Sequence, residues 1–276
     1  MLVDVATRPP GRLDLIRRIV ATGRDVLAQK PLAVDASGLD DIMAVASSTG
    51  ATVAVNQNGR FAPGWRATTE LLRSGRIGRV RAITHVYDTN LRWMPNPDLQ
   101  GTTQFLLFDY SNHWIDICGH WLDPDPVIAV QAMEYDVAPD SSGLVQQSMW
   151  VSFETVSGAN ALIRGAAAGT SHAGHRFVVQ GDLGTIRGDV DSPDGEYLEL
   201  DDGKGATRLS IQGSWFPDGF LASMVHLLRS IEDGREPEHS LANNRRTLEL
   251  VSAACRSARL RGARIELTPL QKNTTA

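Results

Sequence analysis

Four polar side chains recur in the otherwise apolar stretch "FDYSNHWIDICGHWLD": Asp109, His113, Asp116 and His120, at offsets of 0, 4, 7 and 11. At 3.6 residues per turn these offsets form one stripe along a helix. A carboxylate one turn before a histidine can orient the imidazole and raise the basicity of its ring, as removal of a hydroxyl proton by a general base requires. The same stripe is also compatible with the solvated face of an amphipathic helix. Only a neighbouring Asp and His could share an ion, because a rise of about 1.5 Å per residue spreads the stripe over roughly 16 Å. No single ion takes all four, and no metal is expected.

A second reactive group stands far upstream. In "DVLAQKPLAV" Lys30 precedes Pro31, and a residue before proline is pushed out of the α region into an extended conformation. The ammonium is therefore expected at the carboxyl edge of a short apolar strand, where ligands bind in α/β sheets.

The elements that must position these groups fall into two regimes. From residue 2 to about 77, apolar runs ("LVDVAT", "DVLAQ", "ATVAVN") alternate with helical patterns carrying Leu13, Ile16 and Val20, then Leu39, Ile42, Met43 and Ala46, then Trp65, Leu71 and Leu72. Asp35 is expected to cap the second helix and Gly50 to end it. Strand, helix, strand, helix, strand predicts a parallel α/β unit with right-handed crossovers. From about residue 79 longer strands follow: "RVRAITHVY", "VIAVQAMEYDV", "LVQQSMWVSFE", "ANALIRGAAA", "RFVVQG" and "EYLELDD", with helices over 105–122, 217–234 and 241–262. They predict an antiparallel open sheet with helices on one face, an α+β unit. The expected division is 1–78 and 79–276.

Composition narrows the function classes. The 276 residues carry a formal charge of −5, with no basic block, which argues against nucleic acid or an anionic membrane as partner. The densest basic cluster, "RSGRIGRVR", reads as a solvated helix end and turn. Two cysteines, Cys118 and Cys255, support neither a disulfide framework nor a zinc site. No run approaches 18 apolar residues and no secretory signal pattern opens the chain, so a cytoplasmic protein is expected.

"DVLAQKP", "VNQNGRFAPGW" and "DYSNHWID", in this order, together with "WFPDGF" and "RTLELVSAACRSARLRGARIEL", resemble the glucose-fructose oxidoreductase / inositol dehydrogenase (Gfo/Idh/MocA) family of NAD(P)-dependent oxidoreductases. The resemblance implies a truncated Rossmann-type parallel sheet followed by the antiparallel sheet, NAD or NADP as cofactor, a sugar, inositol or related polyol as substrate, and homo-oligomers formed through the C-terminal sheet. It assigns Lys30, Asp109 and His113 to catalysis: Lys30 holds the substrate oxygen, His113 takes the proton, and Asp109 orients His113. It places the Ala6–Thr7–Arg8–Pro9 turn, Gln29, Lys30 and Asn58 along the cofactor. Gln29 stands where the family commonly has Glu, so it offers a ribose hydroxyl a hydrogen bond without charge. Arg60, Arg92, Trp93 and His172, with Lys30, Asp109 and His113, are expected at the substrate, and His175 is a further loop candidate. Asn58 also begins an Asn-Gly dipeptide, which is turn chemistry in any protein.

The glycine turn G-x-G-x-x-G with its following helix, which cradles pyrophosphate, is absent from the chain. "MLVDVAT" looks like the family's fourth strand, and the expectation is that the phosphate turn lies upstream of Met1, with three alternatives open: a start assigned late, a fragment, or true loss of the half-domain. The first strand would then stand at an open edge, inviting association, and dinucleotide affinity would be weak. A non-catalytic sugar-binding or interaction module is the alternative reading. Retention of a spaced lysine, aspartate and histidine favours the enzyme.

Overall fold

Strands apolar on both faces must be covered on both. In the computed structural model, which describes residues 1–89, 104–137, 146–167, 174–190 and 196–268, β1 (Leu2–Val5), β2 (Asp25–Ala28) and β3 (Val53–Val55) form a parallel sheet in the order β1-β2-β3. Alternate side chains of β2 point to opposite faces. Val26 and Ala28 pack with Ile16 and Val20 of α1 (Arg12–Val20) and with Leu39 and Ile42 of α2 (Leu39–Thr49), whereas Leu27 meets Leu227 on the other side. The expected cap of α2 lies elsewhere. Asp35 Oδ1 accepts from the Ser37 backbone N–H at 2.8 Å, a local Asx turn, and the cap position is Gly38 with φ of 82°.

After a 3₁₀ turn (Asn58–Phe61) and α3 (Pro63–Arg73) comes a nine-stranded sheet. It is built from β4 (Val80–Asp88), β5 (Val127–Val137), β6 (Gln146–Thr155), β7 (Asn160–Ala166), β8 (Gly174–Gly181), β9 (Thr185–Val190), β10 (Tyr197–Asp201), β11 (Ala206–Leu209) and β12 (Ile265–Glu266). The order is β11-β10-β9-β8-β4-β7-β6-β5-β12, antiparallel throughout except for the parallel pair β4–β7. Two of these strands were not expected: β9 is interrupted by Gly188 and charged residues, and β11 is almost wholly exposed, whereas the two-residue β12 is the closing strand that the terminal segment resembles. Neither unexpected strand shows the alternation that marks a half-buried strand.

Two expected helices are broken near their starts. Residues 105–122 divide into a π-helical turn (Leu106–Tyr110) and α4 (Asn112–Leu122), and 217–234 into a π-helical turn (Trp215–Gly219) and α5 (Phe220–Glu232). The last helix, α6 (Leu241–Arg259), sends Leu241 and Leu248 into the core of the small sheet and Leu250, Val251 and Ala254 into that of the large one. Among the described residues no helix is long and apolar enough to cross a membrane.

Candidate active site

The parallel register brings Val5, Ala28 and Val55 side by side, so the segments that follow them leave the sheet at the same carboxyl edge. Lys30, two residues past β2, reaches across to the first π-helical turn. Its Nζ donates to Oδ1 of Asp109 at 2.6 Å and to the Asp109 carbonyl at 2.9 Å. That turn is tied to its surroundings: the Leu107 N–H donates to Oε2 of Glu134 on β5 at 2.8 Å, and Gln104 Nε2 donates to the Cys255 carbonyl on α6 at 2.7 Å.

A cavity of about 650 Å³ opens over the pair, lined by Ala6, Thr7, Arg8, Pro9, Gln29, Lys30 and Asp109. Of the expected cofactor contacts only Asn58 is missing from its wall. Two arginines that were not anticipated also line it, Arg12 and Arg259. Arg12 is buried, and its Nη1 donates to the carbonyls of Gln29 and Pro31, which fixes the backbone on either side of Lys30. One signal was present: Arg12 shares a helical face with Ile16 and Val20, and a charge on an apolar stripe needs partners.

His113 lies in the first turn of α4, 7% exposed, with its ring edge-on to Trp215 at 5.2 Å. The 3₁₀ turn packs flat against it. A Cβ on Gly59 would meet Trp65 at 2.8 Å and the His113 Cβ at 3.3 Å. Burial, and secondly the positive charge of Lys30, push the imidazole down to about 3, against a weaker upward pull from Asp116. His113 is therefore neutral near pH 7 and available as a proton acceptor. Its Nδ1 is sealed from solvent with no hydrogen-bond partner; Nε2 is not among the sealed atoms.

The expected Asp109–His113 bond is not formed among the described residues. Asp109 sits in the π-helical turn and His113 in the α-helix beyond Ser111, so the i,i+4 geometry is broken, and the nearer cation Lys30 takes the carboxylate. Asp109 thus positions Lys30.

Arg60 and Asn58 are also placed differently from expectation. Arg60 is 4% exposed and grips Asp116 bidentately, Nε to Oδ2 at 2.7 Å and Nη2 to Oδ1 at 2.6 Å, while Nη1 donates to the Glu238 carbonyl at 2.6 Å and to Asn243. Those bonds join the 3₁₀ turn to α4 and α6 and commit the guanidinium to the protein interior. Burial alone would raise the Asp116 carboxyl, but the charge and hydrogen bonds of Arg60 outweigh it and hold the pKa low. Asn58 Oδ1 accepts from the Trp215 indole N–H at 2.8 Å, another brace. Of the stripe, then, only Asp109 faces the cavity. His175 is buried on β8 beneath Trp114, ring centroids 5.0 Å apart, and Arg92, Trp93 and His172 lie outside the described residues.

Several known proteins are similar to the chain. Residues 65–187 match the GFO/IDH/MocA C-terminal domain. Inositol 2-dehydrogenase of Rhizobium meliloti (strain 1021) is 26% identical over 260 residues, covering 92% of this chain and 77% of that protein. D-Apiose dehydrogenase of Paraburkholderia graminis is 27% identical over 294 residues, covering 99% and 75%. In fold the chain is similar to an oxidoreductase from Agrobacterium radiobacter solved with NAD+, L-tartaric acid and magnesium, with a TM-score of 0.83 at 23% identity over 96% of this chain and 79% of that one. Aldose-aldose oxidoreductase from Caulobacter crescentus, solved with glycerol, superposes with a TM-score of 0.78 at 21% identity over the same shares of the two chains. The match of residues 65–187, the two dehydrogenases and the shared two-sheet fold make the chain similar to the Gfo/Idh/MocA family.

Proposed function

We propose that the chain is an NAD(P)-dependent oxidoreductase that moves a hydride between a nicotinamide cofactor and a sugar, inositol or related polyol. The carrying observation is the Lys30–Asp109 pair at the carboxyl edge of the parallel sheet, opening on a cavity lined by Ala6, Thr7, Arg8, Pro9 and Gln29. The cavity's cationic wall and its place at the strand ends fit part of a dinucleotide. In this reading residues 1–78 serve the cofactor and 79–276 the substrate. NAD or NADP, when bound, accepts or returns the hydride. Lys30 donates to the substrate oxygen and offsets alkoxide charge as hydride leaves carbon; Asp109 holds the ammonium in place. His113 receives the hydroxyl proton at Nε2, and its neutrality near pH 7 keeps that nitrogen free.

The test is turnover. Purified protein with NAD+ or NADP+ and a panel of inositols, aldoses and sugar acids is expected to reduce the nicotinamide with at least one of them, read by absorbance. Silence across the whole panel with both cofactors would sink the proposal.

A further inference from the structure

Asp109 and His113 stand on either side of one joint, Ser111. It follows the π-helical turn that carries Asp109 and caps the helix that carries His113. Its N–H donates to the Leu106 carbonyl at 2.8 Å, and its carbonyl accepts from the Ile115 N–H at 2.9 Å. The Ser111 side chain, fully buried, belongs to a third element. Ser111 Oγ shares a hydrogen bond of 2.7 Å with the hydroxyl of Tyr87 on β4, and Thr89, just past the end of that strand, accepts from the Tyr110 hydroxyl at 3.0 Å. The end of β4 therefore grips two successive residues of the joint. Trp114 spans it as well, stacked on Tyr110 at 5.4 Å and 4.4 Å from Tyr87.

Tyr87 is seated on a glycine. In the parallel pair β4–β7 it lies opposite Gly165, where a Cβ would meet the phenol Cζ at 2.1 Å and its oxygen at 2.3 Å. The ring thus lies on bare backbone, which any side chain at 165 would take from it. Stability alone gives little reason for this hydroxyl pair, because replacing both partners by apolar groups of similar shape is nearly neutral.

We infer, on the reading of Lys30 and His113 as the reacting pair, that Tyr87 is a positioning residue: through Ser111 it fixes the turn that aims Lys30 relative to the helix that presents His113. A displacement of about 1 Å at the reacting groups can cost about 10²-fold in rate. The two groups reach the site from different elements and meet only through this joint, so a brace on the joint holds them in register.

Tyr87→Phe, Ser111→Ala and the double variant test this in the whole chain. Tyr87→Phe deletes one oxygen and leaves the ring over Gly165, and thermal unfolding verifies that each variant is folded. With the substrate found in the panel, each single variant is expected to lower kcat about tenfold while KM changes less than about threefold. The double variant should fall no further, since either deletion removes the same bond. Acetic anhydride labelling of lysines, followed peptide by peptide in a mass spectrometer, gives a readout without turnover. Tyr87→Phe should speed the labelling of Lys30, which Asp109 holds in the parent, severalfold relative to the exposed Lys204. Unchanged labelling of Lys30 overturns the inference whatever kcat does, and so does a double variant whose loss is the product of the two single losses. Faster labelling of Lys30 in a chain that turns over nothing would uphold the brace and strike at the dehydrogenase reading alone.

Discussion

Lys30 Nζ and Asp109 Oδ1 meet at 2.6 Å across a sequence separation of 79 residues. The contact ties the edge of the parallel sheet to a π-helical turn beneath the large sheet, so the ammonium is aimed by an element from outside its own sheet. With side chains 20% and 30% exposed the pair is mostly buried, and the cost of desolvating both charges offsets their attraction, so the net contribution to stability is small. Its value is placement.

Lys30→Ala is accordingly expected to lower kcat/KM by at least about 10² while leaving the unfolding midpoint nearly unchanged. Asp109→Asn, which keeps an acceptor but loses the charge, should fall between the two. Steady-state kinetics with the substrate found in the panel decides the matter, and near-normal turnover in Lys30→Ala would remove it from catalysis.

The Arg60–Asp116 pair makes the opposite prediction. Side chains 4% and 1% exposed hold each other bidentately, and removing one partner strands a buried charge. Arg60→Met or Asp116→Leu alone should cost about 3–5 kcal/mol in urea unfolding, and the double replacement should recover most of it. Single variants within about 1 kcal/mol of the parent would show that the pair is not the lock between α4 and α6.

Why Lys30 was legible and Arg60 was not is a matter of range. Lys30 is marked by a local rule, the extended residue before proline at the end of an apolar strand, and periodicity likewise located β1 to β8 and β10. Asp109 and His113 were located as residues, but their partnership was inferred from helical spacing, which a π-helical turn cancels without leaving a trace in apolar periodicity. Arg60 follows a turn dipeptide, and its partners arrive from residues 116, 238 and 243. Nothing within a few positions of Arg60 announces them.

Buried histidines contribute to the loss of stability in acid. His85, His113 and His239 are each pushed down to about 3, mainly by burial. Unfolded, each takes a proton below about 6.5, so between about pH 6.5 and 3 the unfolded state binds more protons and stability falls as pH falls. Each histidine contributes a slope of up to about 1.4 kcal/mol per pH unit. His85 lies stacked between Trp121 at 5.5 Å and Phe177 at 5.3 Å, with both ring nitrogens unpartnered. His85→Phe keeps a flat ring for the same stack without a titratable nitrogen, and it should flatten the slope by one histidine's share in urea unfolding at pH 7, 6 and 5. An unchanged slope would mean that His85 does not titrate on unfolding.

Glu134 acts in the reverse sense. Burial pushes its carboxyl up to about 7, against the pull of the Leu107 N–H that donates to its Oε2 at 2.8 Å. Leu107 stands two residues before Asp109 in the π-helical turn, and an ionised carboxylate accepts that hydrogen bond more strongly than the protonated acid. As pH rises through about 7 the turn that aims Lys30 is therefore held more firmly. Activity should rise with an apparent pKa near 7 that belongs to Glu134, since His113 is already neutral there. Stability moves the other way. The folded pKa exceeds the unfolded value of about 4.3, so the folded state binds the extra proton between those values and loses stability as pH rises through that window. Glu134→Gln keeps a carbonyl acceptor for Leu107 but cannot ionise. It should abolish the limb near pH 7 in kcat/KM, and from pH 5 to pH 8 its stability should rise relative to the parent by about 2 to 3 kcal/mol. A limb that persists unchanged in Glu134→Gln would assign the titration to another group and break the link between β5 and the placement of Lys30.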